Sequence, residues 1–185
     1  MPDIDQALNH ALATVGLARV DLSLTRHWIG HGSRTLIKQA LEYQQQAAAE
    51  PDIDQLITPF LDYYKANIAV HSRTYAEVNE ALSTLHQRGT KLAVVTNKLI
   101  ELSEPLLQDI GLYEFFDLIV CGDTASKPKP DPAPINLCLE QFALAPEQVL
   151  MVGDSETDVL AAQAASVDVA CMRDGYNHGV DVATL

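Results

Sequence analysis

Positive charge is scarce in this chain. Its 12 lysines and arginines stand against 25 aspartates and glutamates, for a formal net charge of −13. Such a surface repels phosphate backbones and anionic bilayers, so neither nucleic acid nor a membrane is an expected partner. It also requires any site for an anionic substrate to carry its own local cation. Cysteine is scarce too. Cys121, Cys138 and Cys171 are odd in number, share no metal-ligand spacing and each sit in an apolar stretch. That argues against a disulfide framework and reads as buried free thiols in a reducing cytosol. No apolar run approaches the ~20 residues of a bilayer span. The segment Met1-Pro2-Asp3-Ile4-Asp5 has no basic region followed by an apolar one, so no signal peptide is expected and the expected location is cytoplasmic.

What the chain does have is apolar content: hydrophobic residues make up 48% of its 185 residues, enough for one sizeable domain or two small ones and too much for disorder. The apolar pattern divides the chain in two. Residues 1–73 read as helices only. Ile4, Leu8, Ala11, Leu12 and Val15 recur at helical spacing up to Gly16; Leu36, Ile37, Ala40 and Leu41 follow the loop Gly30-His31-Gly32-Ser33; Leu56, Phe60 and Tyr64 form a third stripe entered through Pro51-Asp52. This predicts a small helical bundle. Residues 74–185 alternate. After a helical stripe through Val78, Ala81, Leu82 and Leu85 come short apolar runs at Leu92–Val95, Leu118–Cys121, Val149–Val152 and Val167–Cys171, with helical patterns between them. Short continuous runs suit parallel strands buried on both faces, and strand–helix alternation predicts an α/β fold with an open, Rossmann-like parallel sheet. In such sheets ligands bind beyond the carboxyl ends of the strands.

Three strand ends carry suitable chemistry. Thr96-Asn97-Lys98 offers a hydroxyl and an N–H at a helix mouth, where phosphate oxygens can be held; taken alone, the same pair is more often an ordinary helix cap. Ser126-Lys127-Pro128-Lys129-Pro130-Asp131-Pro132 is a loop stiffened by three prolines in five residues, which can hold a lysine against an anion or simply lead into a helix. Gly153-Asp154-Ser155-Glu156-Thr157-Asp158 places two carboxylates four residues apart around a strand-to-helix turn. Such oxygens suit Mg²⁺ shared with a phosphate, and an acidic first helical turn accounts for one of them.

In order and spacing, Thr96, Lys127 and Asp154 with Asp158 resemble the second, third and fourth motifs of the haloacid dehalogenase superfamily. The wording is similar to its phosphoglycolate phosphatase branch: Val94-Val95-Thr96-Asn97-Lys98, Pro130-Asp131-Pro132-Ala133-Pro134, Val152-Gly153-Asp154-Ser155, Gly175-Tyr176-Asn177-His178 and Trp28-Ile29-Gly30-His31-Gly32. The chain departs from the branch at Ala76-Glu77, where Pro-Gly is usual, and at Ser166, where glycine is usual. It also lacks the first motif, an apolar strand ending in Asp-x-Asp-Gly-Thr. Asp3-Ile4-Asp5 imitates the spacing with only two residues before it, too few for a strand. The expectation is a chain that starts about one strand late, leaves the central strand of the sheet unfilled and stops before the last strand and helix.

The resemblance implies a helical cap over residues 1–73, a hydrolase core over 74–185, and a Mg²⁺-dependent phosphomonoesterase acting on a small phosphorylated metabolite, 2-phosphoglycolate first, through an aspartyl phosphate. Lys127 and Thr96 would be catalytic, with Thr96, Asn97 and Lys127 on the phosphate. Asp154 would hold the metal, supported by Asp158, which could instead hold Lys127. Gly30, His31 and Gly32 could face a small carboxylate substrate, although a solvent-exposed loop histidine is the commoner case. The nucleophile and the acid/base aspartate are absent, so this chain alone is expected to be inactive. The competing readings are a non-catalytic relic that keeps a phosphate and metal site, and a related phosphomutase or phosphonate hydrolase. The order of residues argues against a receiver domain, in which the phosphorylated Asp precedes the Thr, whereas Asp154 follows both Thr96 and Lys127.

Overall fold

The computed structural model describes residues 2–46, 50–173, 175 and 177. The chain divides into two compact units, Met1–Arg73 and Thr74–Leu185.

The first unit holds four helices: α1 (Pro2–Thr14), α2 (Leu22–Trp28), α3 (Ser33–Tyr43) and α4 (Glu50–Ala66). Helix α1 packs along α4. Ala7, Leu8, Ala11 and Leu12 of α1 are fully buried, as are, within a few per cent, Ile53, Leu56, Phe60 and Tyr64 of α4. Each leucine so buried contributes roughly 1.5–3 kcal/mol. Helix α2 has no apolar stripe to announce it. It is seven residues long and starts on Asp21, whose Oδ1 accepts the Ser23 N–H at 2.8 Å. Asp3 and Asp5 lie in the first turn of α1 and are buried. Asp3 accepts the His71 N–H at 2.9 Å and the Ser72 hydroxyl at 2.7 Å, and Asp5 accepts the Thr25 hydroxyl at 2.7 Å. They tie the bundle together and stand on a helix, not at a strand end.

The second unit runs α5 (Val78–Gln87), β1 (Ala93–Val95), α6 (Ile100–Asp109), β2 (Leu118–Val120), α7 (Ala133–Phe142), β3 (Leu150–Gly153), α8 (Glu156–Ala164) and β4 (Asp168–Cys171), with single 3₁₀ turns at Tyr113–Phe115 and Pro146–Gln148. All four strands fall on the expected apolar runs. β1 pairs in parallel with β2, Val95 opposite Val120; β3 pairs in parallel with β4, Gly153 opposite Cys171.

The described strands form two separate two-stranded sheets, β1-β2 and β3-β4. A ladder needs neighbouring strands about 4.7–4.9 Å apart, and no described strand pairs with the second edge of β1 or of β3. One expectation is corrected: the strands are not all buried on both faces. Leu150 and Val152 of β3 are each 59% exposed, because apolar packing covers only the other face. There Met151 and Val169 join Val95, Leu139 and Val149 against a cluster of Ile135, Ala161, Ala162, Ala165 and Val167. The small side chains of α8 let it lie close to the strands and bring its first turn to the end of β3. Cys121 and Cys138 are buried as expected, while Cys171 is only half-buried.

Candidate active site

The carboxyl ends of β1 and β3 are joined by one lysine, and it is Lys129. Its ammonium donates to the Val95 carbonyl, at the end of β1, and to Asp158 Oδ1, in the first turn of α8, both at 2.6 Å. The two side chains are only 10% and 5% exposed. An ammonium has three donors, and these bonds use two of them.

Asp158 is saturated from both sides. Its Oδ2 accepts the Asp154 N–H at 3.0 Å, the Ser155 N–H at 3.1 Å and the Ser155 hydroxyl at 2.8 Å. This closes a capping box over the start of α8. The carboxylate reaches back only because residue 153 is glycine: a Cβ there would collide with the Asp158 side chain, its Oδ2 only 2.8 Å away. Burial works to raise the Asp158 carboxyl, but the Lys129 ammonium and the hydrogen bonds from Lys129, the Asp154 N–H and Ser155 prevail and hold it below its ordinary value. Asp158 is therefore ionised and holds the lysine. The Glu156 N–H, next along the helix start, is taken at 2.8 Å by Oδ1 of the buried Asn177.

Thr96 continues the β1-β2 ladder by donating its N–H to the Val120 carbonyl at 2.9 Å. Its hydroxyl oxygen accepts the Lys98 N–H at 3.1 Å, which fixes the turn out of the strand. Asn97 is bound to the main chain of Lys129. Thus Thr96, Asn97, Lys129, Asp158 and the half-buried Asp154 converge at two strand ends within one unit.

The expected site lysine, Lys127, is not brought in. Its side chain is 71% exposed and its ammonium pairs with Asp131 Oδ2 at 3.4 Å. Asp131 Oδ1 in turn accepts the Ala133 N–H at 3.0 Å at the start of α7. Lys129 takes the place by the strands because its backbone is the part of the loop held to Asn97; Lys127 stands two residues away from that anchor. The expectation that Asp158 could hold Lys127 changes accordingly, since its partner is Lys129. A signal for Lys129 was present: it is the lysine that directly precedes Pro130-Asp131-Pro132-Ala133-Pro134. Asn177 had no assigned role, and its capping of α8 has no local signature. Tyr176 and His178 lie outside the described residues. Gly30, His31 and Gly32 are exposed on the loop between α2 and α3, in the helical unit.

Among the described residues no three His, Cys, Asp or Glu side chains converge as a metal cluster. Asp154 supplies one carboxylate at the end of β3. That donor set fits Mg²⁺, which keeps several waters and is held by one or two carboxylates together with substrate phosphate. Among the described residues no helix is long and apolar enough to cross a membrane.

Residues 2–172 match the family model described as haloacid dehalogenase-like hydrolase. A phosphoglycolate phosphatase of Nitrosococcus oceani is 38% identical over 183 residues, covering 98% of this chain and 81% of that protein. One from Thiobacillus denitrificans is 36% identical over 185 residues, covering 100% and 82%. The crystal structure of a predicted phosphoglycolate phosphatase from Haemophilus somnus superimposes with a TM-score of 0.94 at 33% identity, over 99% of this chain and 83% of that one. With strand ends, loop lysine and acidic turn in the order the motifs require, and with matches running along nearly its whole length, the chain belongs to the haloacid dehalogenase-like hydrolases.

Proposed function

We propose that this chain carries the phosphate-holding part of a phosphomonoesterase site, with 2-phosphoglycolate as the substrate and residues 74–185 as the hydrolase core. The observation that carries the reading is the buried Lys129 ammonium, fixed between Val95 and Asp158 beside the Thr96 hydroxyl. In a chain of net charge −13 this is the local cation an anionic substrate needs. The names of the relatives support the substrate.

Lys129 neutralises the transferring phosphoryl group in this mechanism, taking the role expected of Lys127. The Thr96 hydroxyl and the Asn97 N–H bind its oxygens. Phosphoryl transfer depends mainly on positioning and charge stabilisation, so groups held this rigidly supply much of the catalysis. Asp158 acts through Lys129 and through the turn of Asp154. Asp154 would hold Mg²⁺, which when bound neutralises phosphate charge. Residues 1–73 act as the cap, with Gly30, His31 and Gly32 the candidates for reading the substrate carboxylate. The location is cytoplasmic.

The Asp-x-Asp-Gly-Thr segment that provides the nucleophile and the acid/base is not among the 185 residues. The 185 residues by themselves are accordingly expected to give no turnover. The test is hydrolysis of 2-phosphoglycolate with Mg²⁺ by this chain and by a form extended with an apolar strand ending in Asp-x-Asp-Gly-Thr. The extended form should turn over and the 185-residue form should not. Equal activity in both overturns the account of the nucleophile; activity in neither overturns the assignment of the reaction.

A further inference from the structure

Asn97 is the residue through which β1 controls Lys129. Its side-chain Nδ2 donates to the Lys129 carbonyl at 2.9 Å, and its Oδ1 accepts the Lys129 N–H at 2.8 Å. The two bonds span 32 positions of sequence and hold both main-chain polar groups of one residue. They also fix the amide's orientation, since an N–H must meet the oxygen and a carbonyl must meet the nitrogen.

The other side of Asn97 is fixed as well. Gly122, just beyond β2, lies against the Asn97 backbone: a Cβ on Gly122 would fall 2.6 Å from the Asn97 carbonyl oxygen and 3.0 Å from its carbon. The Gly122 N–H donates to the Lys98 carbonyl at 3.0 Å, and the Thr96 N–H to Val120 at 2.9 Å. The β1-β2 pairing is thereby prolonged past the strand ends as far as Lys98. Asn97 starts from a rigid backbone, and its short side chain, with two rotatable bonds, transfers that rigidity to the proline loop.

We infer that Asn97 is a positioning residue for Lys129: its carboxamide sets where the Lys129 backbone sits, and so where the ammonium is delivered between Val95 and Asp158. This deepens the proposed phosphate site and rests on that reading for its functional meaning. The expected contact of Asn97 with phosphate is through its N–H; the side chain serves the lysine.

The test is lysine acylation of the 185-residue protein, resolved residue by residue by mass spectrometry, with and without orthophosphate. In the unaltered protein Lys129, buried and doubly bonded, should react far more slowly than exposed Lys127. In Asn97→Ala, Lys129 should react about tenfold faster, the scale of losing two hydrogen bonds. Lys91, which pairs with Asp117 in the same unit, should keep its rate. Asn97→Asp keeps the acceptor for the Lys129 N–H and loses the donor, so it should rescue part of the protection. Unchanged Lys129 reactivity in Asn97→Ala overturns the inference. If Asn97→Ala raises Lys91 as well, the fold has loosened and Asn97→Asp decides: a rise confined to Lys129 supports the inference, and no rise overturns it. Orthophosphate separates this from the underlying reading. Failure of phosphate to slow Lys129 acylation in the unaltered protein counts against the phosphate site, whereas the effect of Asn97 on Lys129 is read without phosphate.

Discussion

Lys129 Nζ and Asp158 Oδ1 stand 2.6 Å apart, 29 residues apart in sequence, with neither side chain more than 10% exposed. Desolvation makes a pair of this kind costly to break, because removing one partner leaves a buried charge with nothing to balance it.

Lys129→Ala should therefore destabilise the α/β unit by about 3–5 kcal/mol. Lys127→Ala removes only an exposed pair and should cost about 0–1 kcal/mol. Thermal unfolding of the two variants checks the ranking. Equal, small losses would mean that Lys129 does not occupy its buried position. In the extended form, Lys129→Ala should also lower turnover by about 10²–10³, the scale of losing one charge-stabilising group, while Lys127→Ala stays near the unaltered rate.

The open edges of β1 and β3 should limit the stability of the 185-residue chain. Each buried backbone group left unpaired costs about 1–3 kcal/mol, against a total stability of about 5–15 kcal/mol for a domain. Size-exclusion chromatography with thermal unfolding should show self-association or a broad transition, with the helical unit outlasting the sheets. The extended form should unfold sharply and at higher temperature. A sharp monomeric transition of the short chain above about 45 °C would show that two separate two-stranded sheets suffice.

Glu77 and Ser166 have φ of 66° and 58°, in the left-handed region that glycine enters without penalty. These are two of the positions where the sequence departs from glycine in its family branch. Glu77→Gly and Ser166→Gly should each stabilise the chain by up to about 1 kcal/mol, a gain of roughly 2–4 °C in Tm for a chain of this size. Unchanged or lower Tm in both would show that the gain is cancelled by the greater freedom of glycine in the unfolded chain.

Burial pushes the Cys138 thiol up to about 11. The fold thus favours the neutral thiol. Below about pH 8.5, where an unfolded thiol begins to ionise, its contribution is fully present. It is lost as pH rises towards the folded value, because the unfolded chain ionises first. Cys138→Ala should therefore lose less stability than the unaltered chain between about pH 9 and 11. Chemical denaturation across that range measures the difference, and parallel curves would refute it. Alkylation of Cys138 should likewise stay slow at pH 8 in the folded protein.

Much of this architecture was legible in the amino-acid order because it is local. Apolar runs at 92–95, 118–121, 149–152 and 167–171 became strands at 93–95, 118–120, 150–153 and 168–171, since a short buried run bounded by turn residues has few other ways to satisfy its backbone. Thr96 and Asp154 were legible for the same reason: each ends its own strand. Helix α2 was not, since its seven residues bury little and begin on a side-chain cap. The choice between Lys127 and Lys129 had one cue, the place of Lys129 directly before Pro130-Asp131-Pro132-Ala133-Pro134, but its physical reason was beyond local reading. Both precede a proline in one stiff loop, and what separates them is the Asn97 carboxamide, which holds the backbone of one and not the other. Which strands pair, and in what register, was also a tertiary outcome, because pairing depends on which edges meet in space. The order of residues determined where strands end and which polar groups they present; long-range hydrogen bonds, whose partners lie about thirty residues apart, decided which lysine stands among them.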